Sequence, residues 1–284
     1  VSPEGLARLV AEIEADARLL EAEPLTGGVS ADVWRVRFVA DGRERSIVVR
    51  RRPGVEPAAV EREAALCTAL HDRGFAVPPA LWTESTGDLL GAPAWAMPWR
   101  DGTTDVSFTN HRLQTLATWV RRVHATALEG LPDLPTRDDP RPELAGWLLD
   151  EVADVRPVLA ALPWPTARRV LVHGDLWSGN LLWRDDRLVA MLDWEDAAVG
   201  DPLSDLAGSR LELVWRGGPA LGDAWIGCFP GVDRVRLAVW ELYCACAAWR
   251  FMGDWGWSAE QLAATRAATE RFADRAASVV RREG

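Results

Sequence analysis

The sequence predicts an α+β fold, with a small strand-rich part followed by a larger, mostly helical one and a boundary near residue 99. Three observations predict it. Short apolar runs bounded by turn residues crowd the first third. Apolar residues at helical spacing fill the rest. The 284 residues suffice for two modest lobes around a shared cleft. The expected units are residues 1–98 and 99–284.

Each element has its own signal. Ser2, Pro3 and Glu4 read as a helix start: a hydroxyl cap, proline in the first turn and an early acid. That helix is expected to run to about Leu20. Pro24 to Ser30 carries Gly27 and Gly28 in a glycine turn. Val33–Val39 and Ser46–Arg50 read as paired strands around Asp41-Gly42, a hairpin signal. Pro57–Arg73 reads as a helix closed by Gly74. Ala94–Met97 is a short apolar strand. Leu113, Leu116, Val120 and Val123 then recur at helical spacing, and Glu143–Leu162 and Arg234–Met252 read as helices. Between these last two, Val170–Val172 and Leu188–Leu192 are strand candidates.

Composition narrows the function classes. Hydrophobic residues make up 48% and charged residues 26%, as in ordinary globular chains. A net charge of −10 and a pI of about 5.0 argue against nucleic acid as partner, because phosphates demand a basic face. No apolar run approaches the roughly 18–20 residues of a membrane span. The first residues lack the basic start and apolar core of a signal peptide, so a cytoplasmic location is expected. Cys67, Cys228, Cys244 and Cys246 have no zinc spacing and read as buried thiols. The chain has no lysine; all 32 basic residues are arginine. Schiff-base chemistry on lysine is therefore excluded, and any fixed cation must be a guanidinium.

The chemistry-bearing stretch is 171–207. His173-Gly174-Asp175 is followed five residues after the aspartate by Asn180, and eighteen after it by Asp193 at the end of an apolar run. Two carboxylates and an amide oxygen thus bracket one short loop. Phosphoryl transfer asks for this inventory: a carboxylate to receive the hydroxyl proton, and oxygen ligands for magnesium on nucleotide phosphates. Asp175 suits the first role, and Asn180 and Asp193 the second.

His-Gly-Asp-x4-Asn, followed by Asp193-Trp194-Glu195 and by Gly200-Asp201-Pro202 with Asp205-Leu206-Ala207, resembles the aminoglycoside phosphotransferase family. The segment 173–180 also resembles fructosamine kinases, while Asp193-Trp194-Glu195 is closer to antibiotic and choline kinases. The resemblance implies a bilobal protein-kinase-like fold and a small-molecule kinase. It would move a phosphoryl group from ATP or GTP, with Mg2+, to a hydroxyl of an antibiotic-like or other small alcohol. A fructosamine-kinase-like deglycation enzyme and a non-catalytic nucleotide-binding protein are the alternatives.

By the same resemblance, Arg50 takes the place of the usual strand lysine on the phosphates, with Arg51 and Arg52 as rival registers. Glu63 orients it, with Glu61 as rival. Gly27, Gly28 and Ser30 would cover the phosphates. Met97 would wall the adenine pocket, the Pro98 carbonyl and Arg100 N–H meeting the base edge. His173 would brace the catalytic loop, and Asp201 and Asp205 would cap or brace backbone. His124 reads as core. Glu195 is open between positioning nucleotide or substrate and simple bracing. Glu212, Glu241 and Asp254, among Trp215, Trp225, Trp240, Trp249, Trp255 and Trp257, could meet a cationic acceptor, although such tryptophans are more often core.

Overall fold

The computed structural model describes residues 1–25, 31–165 and 168–284. Helix α1 (Pro3–Ile13) starts at Ser2, whose hydroxyl accepts the Gly5 N–H at 3.0 Å. It ends well before Leu20. Strand β1 (Arg18–Leu25) follows and pairs with β2 (Asp32–Ala40), which pairs with β3 (Arg43–Arg51). Arg18-Leu-Leu-Glu-Ala-Glu has good helix formers, so local propensity misleads here. Pairing overrides it: Glu21 bonds Arg37 at 2.7 Å and Glu23 reaches Arg35 at 3.5 Å across the strands.

Helix α2 (Pro57–Asp72) leads to β4 (Trp82–Glu84) and β5 (Ala94–Pro98), which complete an antiparallel sheet in the order β1-β2-β3-β5-β4. Strand alternation sends Ile47, Val49, Ala94 and Ala96 to a core with Leu6, Leu9 and Val10 of α1. Trp95 and Met97 point the other way. They join Val60, Leu66 and Leu70 of α2 and a core that continues into the helical lobe. Helix α2 therefore sits against both lobes.

After residue 99 come α3 (Asn110–His124), β6 (Thr136–Arg137) and α4 (Arg141–Trp147). The single helix expected over Glu143–Leu162 is broken. A 3-10 segment, Asp150–Val155, separates α4 from α5 (Arg156–Ala161), where Pro157 sits in the first turn and needs no N–H partner. Strand β7 (Val170–Val172), the hairpin β8 (Leu181–Arg184) and β9 (Arg187–Met191), and β10 (Ala198–Gly200) carry the loops of interest. The order β6-β10-β7 forms a second small sheet. Helices α6 (Leu203–Gly217), α7 (Pro219–Gly227), α8 (Arg234–Phe251) and α9 (Ala259–Glu283) complete the chain. Leu211 of α6, Leu242 of α8 and Phe272 and Ala276 of α9 share one core. Trp225 and Trp240 are fully buried core residues; Trp257 is exposed. Among the described residues, no helix is long and apolar enough to cross a membrane.

Candidate active site

The short strand β7 delivers His173, Gly174 and Asp175 into a loop that turns through a 3-10 segment, Ser178–Asn180, into β8. Asn180 donates through its amide nitrogen to the Asp175 carbonyl and to the Asp175 carboxylate, both at 2.9 Å. In that orientation the Asn180 amide oxygen accepts no hydrogen bond among the described residues. Burial pushes the Asp175 carboxyl above the usual aspartate range. His173 and the Asn180 amide oppose the shift, and the nearby Asp196 and Asp193 add to it.

His173 is fully buried. Its Nε2 lies 2.9 Å from the Leu192 carbonyl, and its Nδ1 accepts the Asp175 N–H at 3.3 Å. That network assigns the proton to Nε2. The ring packs on Trp194 with centroids 4.4 Å apart. The imidazole thus ties the loop before Asp175 to the strand end before Asp193. Gly174 has φ +88°, and a Cβ there would lie 2.0 Å from the Asp196 carbonyl oxygen. Only glycine fits both constraints. Asp193 is itself left-handed, φ 64°, a conformation aspartate tolerates better than most residues.

Helix α6 braces the same loop along one face. Asp205 accepts the backbone N–H groups of His173 and Gly174 at 3.0 and 2.9 Å. Ser209 donates to the Leu176 carbonyl at 2.8 Å, and Glu212 accepts the Ser178 hydroxyl at 2.7 Å. Residues 205, 209 and 212 are spaced four and three apart, so they share a helix face. His124 bonds Asp205 at 2.9 Å. Burial opposes ionisation of Asp205, yet His124, His173 and the Gly174 N–H hold its carboxyl below the usual range. Asp201 is likewise buried, held by Arg236, by the Trp240 indole N–H at 2.9 Å and by the Leu203 N–H at 3.0 Å.

From the other lobe, β3 contributes arginines. The pleat splits the run 50–52. Arg51 turns to Asp32 (2.6 Å) and the Leu90 carbonyl, whereas Arg50 and Arg52 face α2 and the loop after β9. Arg50 donates to Glu63 at 2.9 Å, to Asp193 at 2.8 Å and to Glu195 at 3.2 Å. Glu63 is buried on α2, while Glu61 is exposed. Burial lowers the Arg50 pKa, but Glu63, Asp193 and Glu195 more than reverse it, so the guanidinium stays charged. Burial pushes Glu63 up, Arg50 restrains it, and Asp193 and Glu195 push it further.

Met97 is buried in the core behind β5, and Pro98 pairs with Ile47 at the strand's end. Arg100 is exposed just beyond. Gly27, Gly28 and Ser30 lie outside the described residues. Glu212 belongs to the loop brace, where it also pairs with Arg216. Glu241 is buried on α8 and held by Arg210, and Asp254 is exposed after α8. Among the described residues, neither bonds the loop 173–180 or the arginine cluster. Sequence reasoning named Arg52 only as a rival register for Arg50 and not as a partner of Glu195, which it bonds at 2.9 Å, and it missed Ser209. Period-two and period-four spacing from Arg50 and Asp205 are the signals that point to them.

As to chemistry, the Asn180 amide oxygen and the Asp193 carboxylate are hard oxygen donors that fit magnesium. Asp175 stands beside them as a desolvated carboxylate, and Arg50 as a permanent cation within bonding distance of Asp193.

A model of the phosphotransferase enzyme family (APH) matches residues 21–255. Acyl-CoA dehydrogenase family member 11 from Homo sapiens is 27% identical over 134 residues, 46% of this chain but 15% of that protein. The chain thus matches only a small part of that relative's length. A solved structure from Ralstonia eutropha JMP134, provisionally called an aminoglycoside phosphotransferase, superposes with a TM-score of 0.73 at 18% identity, covering 97% of this chain and 98% of that one. A thermostable mutant of the aminoglycoside phosphotransferase APH(4)-Ia, in complex with AMP-PNP and hygromycin B, gives 0.66 at 17% identity, covering 96% and 98%. The bilobal fold is the one these proteins share.

Proposed function

The chain belongs to the phosphotransferase enzyme family, and from that premise we propose that it transfers the γ-phosphoryl group of ATP or GTP to a hydroxyl of a small molecule. An aminoglycoside-type antibiotic or another small alcohol is the acceptor class. One observation carries the reading. Asp175 and Asn180 are bonded to each other across the loop, and Asp193, eighteen residues after Asp175, meets Arg50 of the other lobe, which Glu63 holds from α2.

Phosphoryl transfer needs little covalent help, so the residues act by position and charge. Asp175 receives the acceptor's hydroxyl proton as its oxygen attacks in line. Burial has already raised its affinity for that proton. Asn180 and Asp193 would hold magnesium, which when bound neutralises charge on the nucleotide phosphates. Arg50, kept extended by Glu63, supplies a second positive charge to the phosphates. Asp205, Ser209 and Glu212 keep the loop backbone fixed, so Asp175 and Asn180 do not reorganise during the reaction.

The test is magnesium-dependent consumption of ATP and GTP against aminoglycosides, peptide antibiotics, macrolides, choline and fructosamines, with Asp175→Asn as the blank. Turnover with one acceptor class, lost in the blank, supports the reading and names the class. No binding of Mg-nucleotide at all rejects it.

A further inference from the structure

The arginine cluster holds more than the phosphate contact needs. Arg52 lies two residues beyond Arg50, so it emerges on the same face of β3. Its guanidinium bonds Glu195 at 2.9 Å and approaches Glu63 at 3.8 Å. Arg50 bonds the same two acids at 3.2 and 2.9 Å. Two arginines from one lobe and two acids, one from α2 and one from the loop between β9 and β10, form a closed ring of charge. The Arg50, Arg52 and Glu195 side chains keep 7%, 10% and 14% of their exposure, and Glu63 keeps 1%. Asp193 hangs from this ring by its bond to Arg50.

The ring creates a conflict that phosphate binding must resolve. Arg50 is committed to three carboxylates, one of them the proposed magnesium ligand. To reach phosphate it must loosen its hold on Asp193 and Glu195. Glu195 would then be a desolvated carboxylate short of a cation, which is costly unless a partner remains. Arg52, at 2.9 Å, is such a partner. Both arginines also retain a buried Nε–H with no acceptor among the described residues, so the ring is not saturated.

Resting on the kinase reading above, we infer that Arg52 and Glu195 are a positioning pair. They keep the loop bearing Asp193 in register with β3 while Arg50 turns from Asp193 to the nucleotide. Glu195 thus serves the nucleotide side of the reaction and does not touch the acceptor.

The experiment uses the full chain and measures KM for Mg-ATP (or Mg-GTP, whichever is used), KM for the acceptor, and kcat. In Glu195→Gln, which keeps shape and removes charge, KM for Mg-nucleotide rises about tenfold or more, as when a residue behind a metal ligand is lost. The acceptor KM stays unchanged and kcat falls by less than roughly threefold. Arg52→Gln likewise raises the nucleotide KM, and combining it with Glu195→Gln raises it by no more than roughly threefold beyond either single variant, as for two residues that act as one pair. Circular dichroism first checks that Glu195→Gln, Arg52→Gln and their combination are folded. A raised acceptor KM with unchanged nucleotide KM in Glu195→Gln overturns the inference and makes Glu195 a substrate contact. A nucleotide KM left within about twofold overturns it as well. If the wild-type chain binds neither Mg-ATP nor Mg-GTP, the kinase reading falls and this inference falls with it. Failure of the inference alone appears only in the variants.

Discussion

Asp175 combines two properties that rarely coincide: it is mostly desolvated, and it is fixed by an amide from its own loop. Its raised pKa has a definite sign in kinetics. A carboxylate that accepts a proton must be ionised, so kcat/KM falls as pH drops through that raised value. The acid limb therefore lies above the ordinary aspartate value of about 3.9. Asp175→Asn removes the limb and lowers turnover by on the order of 10²–10⁴, with Mg-nucleotide affinity retained. Near-wild-type turnover in that variant rejects the assigned role. Asp193→Ala weakens magnesium-dependent nucleotide binding, read by titration with and without the metal; equal binding rejects the ligand assignment. Gly174→Ala meets both a left-handed φ and the Asp196 carbonyl. It costs at least about 2 kcal/mol in denaturant-derived stability, and a loss under half of that contradicts the packing described. The loop residues could be read from sequence because the groups that work together lie within twenty positions of one another. Arg52 and Glu195 are 143 positions apart, and no local pattern announces their contact.

Among the elements, α6 matters most to the loop although it contributes no reacting group. Its buried Asp205 receives two backbone N–H groups and His124. Because the folded-state pKa is depressed, Asp205 stabilises the fold above its unfolded value of about 3.9. That contribution is lost as pH falls through the folded value. Asp205→Asn should therefore destabilise the chain by about 3–5 kcal/mol at neutral pH, with the gap to wild type closing below about pH 3.9. Thermal unfolding of both chains across pH checks this, and a gap independent of pH contradicts it. Sequence patterns found β2, β3, α2 and α8 within a few residues, since their periodicity is strong. They failed at β1, where Glu21 and Glu23 favour a helix locally but are held by Arg37 and Arg35 on the next strand. They failed again between α4 and α5, where apolar spacing continues through a 3-10 break.

On the scale of the whole molecule, the lobes meet at several points besides the chain crossing after β5. Arg122 of α3 donates to the Gly74 carbonyl at 3.3 Å, and Arg73 grips the Ala127 and Glu129 carbonyls across the same seam. The Met191 N–H donates to the Ala76 carbonyl at 2.7 Å. These contacts pin the end of α2, the helix that carries Glu63, to the helical lobe. A strand-rich part followed by a helical one was legible from the shift in periodicity; these bonds were not, because carbonyl acceptors carry no side-chain signature. The use of arginine throughout, with Arg50 between Glu63 and Asp193, has a consequence for covalent labelling. Nucleotide analogues that carry an acylating or sulfonylating group label a protein by capturing the lone pair of a neutral amine beside the phosphates. A guanidinium that never gives up its proton offers them no lone pair. Such a reagent should occupy the cleft yet leave it unmodified by mass spectrometry, while Arg50→Lys should render the same pocket taggable.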